Sequence, residues 1–155
     1  MLRFKILVSA VPLILAGFFA RSELLPGPRP CIETGGMSVQ IAPAPWHADL
    51  HVGFTDDPAA ATVRVQIVES AEAADFTVVD DADSADANAC EANPAMRLVA
   101  VAAHPAASQP IIYLSRDGDA DYRIFVRSNT FSARDAAALI VGANGGHARI
   151  AAASL

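Results

Sequence analysis

Apolar residues alternate with polar ones along much of the chain. Leu50, Val52 and Phe54 form one such set, Val63, Val65 and Ile67 a second, and Tyr122, Ile124 and Val126 a third. A period of two places successive side chains on opposite faces of a strand, so these segments predict half-buried strands near 50–54, 63–68 and 122–128. Shorter continuous apolar runs predict more fully buried strands near 76–80, 97–103 and 111–115. Met37 to Ile41 adds a possible edge strand. Ser70 to Asp75 has room for one helical turn.

The period changes once, near the C-terminus. Ala136, Leu139, Ile140 and Ala143 fall at i, i+3, i+4 and i+7, the spacing of one helical face, and predict a helix over 132–143. Ser132 is placed to cap its first turn, Asp135 to complete a capping box, and Phe131 to staple the entry. Gly142 and the run Asn144-Gly145-Gly146 stop it. The expected arrangement lays Leu139 and Ile140 on the sheet, with Arg134 facing outward.

The connectors suggest how the strands are joined. Arg116 to Asp121 contains Asp117-Gly118 between two strand patterns and reads as a hairpin. His104 to Pro110 is a proline-bounded link. The last three strands are therefore expected to form an antiparallel meander, and the fold class to be α+β, a small antiparallel sheet packed against the C-terminal helix. No repeat is read at any fixed period.

The first twenty residues stand apart. Arg3 and Lys5 precede an uncharged apolar run from Ile6 to Ala20, and Arg21-Ser22-Glu23 closes it, the three-part shape of an export signal. The run is shorter than the ~20 residues of a spanning helix, which favours a cleaved signal peptide. Phe18 and Ile14 are bulky at the third position before cuts after Ala20 or Ala16, which leaves an uncleaved membrane anchor as the alternative. Both put the remainder outside the cytoplasm, in a periplasmic or extracellular compartment and in the second case held to the inner membrane. Residues 21–36 are rich in Pro and Gly and are expected to be a linker, 37–143 a single domain, and 144–155 a flexible tail.

Export changes the reading of Cys31 and Cys90. The only two cysteines of an exported chain are expected to pair as a disulfide, closing a loop of about sixty residues, and not to act as a redox couple, for which the CxxC spacing is missing.

Composition limits the partners. The chain has 155 residues, 53% of them hydrophobic, enough for one core, and a formal charge of −6. Beyond the leader, nine arginines face seventeen acidic residues and there is no lysine, which argues against nucleic acid as a partner, since phosphate binding needs clustered basic groups. The membrane is expected to be contacted only through the N-terminal segment, if that is retained.

Candidate chemistry is sparse. His47, Asp49 and His51 are the densest metal-capable set, but along a strand His47 and His51 lie about 13 Å apart, too far to share an ion, so they are weak candidates only. Trp46 beside them is read as a core or rim aromatic. Asp117, Asp119 and Asp121 alternate as in calcium loops, yet Tyr122 and Ser128 stand where such loops need Gly and Glu. Asp80, Asp81, Asp83 and Asp86 read as a solvated acidic loop. No nucleophile elbow, zinc-helix motif or cofactor fingerprint is present, so neither catalytic residue nor cofactor is assigned. Arg123, Phe125 and Arg127 share one face of a strand and form the best candidate contact surface, with pairing of these arginines to acids on the next strand as the competing reading. The expectation is a non-catalytic interaction or structural module of the cell envelope with a protein partner. The alternatives are a small-ligand binder or enzyme whose site is assembled from scattered residues, or a membrane-tethered accessory subunit.

Overall fold

Eight strands and one α-helix make up a computed structural model that describes residues 31–34, 36–80 and 96–147. In chain order the strands are β1 (Cys31–Thr34), β2 (Met37–Ile41), β3 (Leu50–Thr55), β4 (Val63–Ile67), β5 (Phe76–Val79), β6 (Arg97–Val101), β7 (Ile111–Ser115) and β8 (Tyr122–Arg127), followed by helix α1 (Ala133–Ala143). Each strand from β3 to β8 lies within two residues of where the hydrophobic pattern predicts it. Short 3-10 turns at Pro45–His47 and Ala71–Ala73 interrupt two of the connectors.

The pairing differs from the expected meander. The eight strands form one sheet in the order β1-β2-β6-β3-β7-β4-β8-β5. Only β1 and β2 are antiparallel; the remaining neighbours are all parallel. The α+β class holds, but the sheet is large and mainly parallel instead of small and antiparallel. The segment 116–121 is not a hairpin turn either, because β4 lies between β7 and β8. Met37–Ile41 is second from the edge, and Cys31–Thr34, within the expected linker, is the edge strand.

Two series of strands interleave. β2, β3, β4 and β5 begin at residues 37, 50, 63 and 76, a constant spacing of 13, and each successive strand lands two positions further along the sheet. β6, β7 and β8 fill the gaps. This period corrects the expectation of no repeat. A connector between parallel strands commonly carries a helix, but here it has only to return the chain along a short strand and step over one neighbour. Links of six to nine residues suffice.

Side chains set the register at the strand entrances. Asp49 donates its N–H to the Leu98 carbonyl at 2.8 Å and accepts the Leu98 N–H on Oδ2 at 2.8 Å. Asp75 forms the same reciprocal pair with Arg123, Asp121 with Arg64, and Thr62, through Oγ1, with Ile111. In each case the residue before a strand imitates one more rung of the ladder, satisfying a backbone donor beyond the regular pairing. Asp49, Thr62 and Asp75 recur at the same spacing of 13 as the strands they precede.

Each strand is also staggered against its neighbours. β3 pairs with β6 through Leu50–Val52 and with β7 through Gly53–Thr55. Stagger of this kind tilts the strands and curls the sheet. Helix α1 lies in the resulting hollow, packed against β1 to β4 and β6 to β8. Seven consecutive residues, Ala136 to Gly142, are buried, so the helix is enclosed on every side and not only on the face of Leu139 and Ile140. Small side chains make this possible. A Cβ on Gly142 would lie 2.4 Å from Val99 Cγ2, which shows how closely the helix approaches β6.

The helix entrance follows the sequence. Ser132 and Asp135 form the capping box, and Phe131 packs against the core. The inner face of the sheet contributes Val39, Val52, Val63, Val65, Val99, Ile112, Tyr122 and Ile124 to that core.

Candidate functional site

β8 alternates strictly. Tyr122 and Ile124 are buried toward the helix, whereas Arg123 and Arg127 are exposed and Phe125 is half-buried on the outer face. Successive residues on one face of a strand lie about 7 Å apart, so the two guanidinium groups flank the aromatic ring. Across the sheet Arg123 stands opposite Gln66 of β4 and beside Asp75 at the entrance of β5, Phe125 opposite Thr77 of β5, and Arg127 opposite Val79. The Asp75 carboxylate is near this row, but it accepts the backbone N–H of Arg123.

The outer face continues on both sides. Thr77 and Val79 are exposed, Val79 at 47%. On β4, Arg64 donates to the Pro58 carbonyl and Gln66 to the Arg116 carbonyl, so one is tethered to the β3–β4 connector and the other to the β7–β8 connector. Arg123 and Arg127 are the exposed basic groups of β8.

Asp80, at the end of β5, binds the connector that leads into α1. Its carboxylate accepts from the Ser128 hydroxyl and the Asn129 N–H, while Ser128 Oγ accepts the N–H groups of Thr130 and Phe131 at 2.9 and 2.8 Å. The Ser128 hydrogen bond, followed by that of Asn129, holds the Asp80 carboxyl below its ordinary value. Asp80 is therefore a structural clasp and not part of a free acidic loop; Asp81, Asp83 and Asp86 lie outside the described residues.

The remaining candidates separate. His47 ends a 3-10 turn and is exposed, the Asp49 carboxylate is engaged by Leu98, and His51 is half-buried on β3. Among the described residues no group of three His, Cys, Asp or Glu side chains is gathered as a metal site. Asp121 is likewise engaged, by the Arg64 N–H, and with Asp119 it borders a shallow open groove that also includes Ala61 and Thr62. Cys31 lies half-buried on β1, and its expected partner Cys90 is outside the described residues, as is the leader.

Two features were missed in the sequence. Trp46 is 80% exposed and contacts His47 edge to face, a correction to its placement in the core or rim. Pro43 and Pro45, just before it, were the available signal, because they place it in a connector. The second is the position of β5 at the edge of the sheet, which depends on strand order. Compared with known proteins, the chain matches no family model, no curated protein and no solved structure.

Proposed function

We propose that this chain is an exported, non-catalytic contact module of the cell envelope, and that the outer face of β8 and β5 is its contact surface. One observation carries this reading: Arg123 and Arg127 flank the half-buried ring of Phe125 on the outer face of the sheet, with Gln66 opposite Arg123 on β4 and Val79 opposite Arg127 on β5. Arginine beside an aromatic side chain is the composition enriched in contact surfaces, where the guanidinium forks onto a carboxylate and the ring supplies apolar area. The chain is acidic overall, so an exposed basic pair on it is a local inversion of charge that steers partners to one face. Export rests on the tripartite leader at residues 1–20.

Site-specific photo-crosslinking in the producing cell tests this reading. A crosslinking side chain at Phe125 is expected to give a discrete adduct that is lost in the Arg123→Glu/Arg127→Glu variant. The same group at Thr55, on the same face but three strands away, is expected to give none. Equal adducts at both positions, or none at Phe125 in a folded protein, overturn the proposal.

The Cys31–Cys90 disulfide belongs to the same reading, since it would tie β1 to a segment distant in sequence. Mass measurement of the exported protein without reductant reads it as the loss of both thiol hydrogens; two free thiols overturn it.

A further inference from the structure

We infer that residues 31–80 and 96–147 are two complementary halves that bind each other through the whole sheet, and that a second copy of this chain can supply either half. The strand order alternates between them: β6 lies between β2 and β3, β7 between β3 and β4, and β8 between β4 and β5. Each parallel pairing therefore joins one half to the other. Within a half, the only paired strands among the described residues are β1 and β2. An isolated two-stranded hairpin is marginal in water, and a strand with no neighbour leaves its backbone groups to solvent. The first half has no α-helix of its own among the described residues; α1 belongs to the second and packs against β1 to β4 of the first. The core is shared in the same way, Val39, Val52, Val63 and Val65 coming from one half and Val99, Ile112, Ile124 and Leu139 from the other.

The contacts that set strand order and register also cross from half to half. Asp49, Thr62 and Asp75 of the first hold the backbone of Leu98, Ile111 and Arg123 of the second, and Asp121 of the second holds Arg64 of the first. Asp80 binds Ser128 and Asn129, and Arg134 rests over the Phe54 ring. Register is thus fixed by the two halves themselves, whichever chain each belongs to. An occupant of the first half has to bring three strands at the right steps and a helix that fills the hollow, which residues 96–147 of a second copy do. Exchange of an identical element between copies repeats the contacts of the single chain, so two chains trading halves rebuild the same sheet twice.

The test uses whole chains. Val65→Asp spoils the first half and Ile124→Asp the second, since each puts a carboxyl group at a fully buried position, and each variant alone is expected to be unfolded. Diluted together from urea, they are expected to form a folded species of dimer mass containing one chain of each, with about half of the parent's circular-dichroism signal, because one of its two units is sound. A mixture of Val65→Asp with Val52→Asp, which has no sound first half, is expected to stay unfolded. The parent chain with a protease site inserted between Ala92 and Asn93 supplies the second measurement, the site lying after Cys90 so that a Cys31–Cys90 bond would stay within one fragment. Cleaved while folded, its fragments are expected to run together on gel filtration, and to unfold at a urea concentration that rises with protein concentration. Folding of either variant alone, recovery in the mixture that lacks a sound first half, no recovery in the complementary mixture, or fragments that part after cleavage overturn the inference.

Discussion

Asp49 and Leu98 exchange two hydrogen bonds across the boundary of β3 and β6, the Asp49 N–H to the Leu98 carbonyl and the Leu98 N–H to Asp49 Oδ2, each 2.8 Å. The pair fixes where β3 enters the sheet. A slip by one residue would move Leu50, Val52 and Phe54 from the core to the outer face, so the aspartate protects the register as well as the donor. Asp49→Ala is expected to cost about 1 to 3 kcal/mol in urea unfolding, because the Leu98 N–H loses its partner. His51→Ala, two residues on, should cost about 0.5 kcal/mol or less. Equal effects would show that the carboxylate does not hold the register.

The approach of Gly142 to Val99 sets a second expectation. Gly142→Ala puts a methyl group where Val99 Cγ2 already lies, and overpacking of this kind is expected to cost about 1 to 3 kcal/mol despite the better helix propensity of alanine. Val99→Ala alone should also destabilise, by leaving a cavity. The double variant is expected to be more stable than the sum of the two losses predicts, and strict additivity would place the helix further from β6.

Enclosure of α1 predicts an unequal pair of helix substitutions. Leu139→Ala removes fully buried atoms and is expected to cost roughly 2 to 5 kcal/mol. Arg134 is exposed but rests over the Phe54 ring, 4.1 Å from its centre, so Arg134→Ala should cost about 0.5 to 1 kcal/mol, slightly more than a bare surface residue. Chemical denaturation of both variants measures the contrast, and equally mild effects would mean that the helix is not enclosed.

Asp80 gives the protein an acid-sensitive joint. Its folded-state pKa is lowered by Ser128 and Asn129, so its contribution is fully present above the unfolded value near 3.8 and is lost as pH falls through the lower folded value. Thermal melts between about pH 2 and 5 are expected to lose stability less steeply in Asp80→Asn than in the parent chain. Parallel pH profiles would show that the clasp does not discriminate between the charged and neutral carboxyl.

Much of the local structure was legible. The alternation in Val63, Val65 and Ile67 or in Tyr122, Ile124 and Val126 is a local steric property of a half-buried strand, and Ser132 with Asp135 caps a helix by bonds within one turn. The Arg123, Phe125 and Arg127 face was readable for the same reason. Strand partners were not, because the choice between a hairpin and a step over another strand is made by contacts far apart in sequence. Residues 116–121 have turn chemistry that suits either outcome, and β4 lies between their flanking strands, paired in parallel with both.

The repeat of 13 residues lay in plain view at Asp49, Thr62 and Asp75, but unlike connectors hid it, and its meaning depends on the second series of strands that fills the gaps. The exposure of Trp46 and the place of β5 at the end of the described sheet are likewise properties of placement. The sequence by itself determined which segments become strand or helix and which side chains each strand turns outward, since backbone sterics and periodicity act over a few residues. Only the tertiary structure decided the order and direction of the strands and the enclosure of α1, because these follow from which long-range packing buries the most apolar surface while leaving backbone donors a partner.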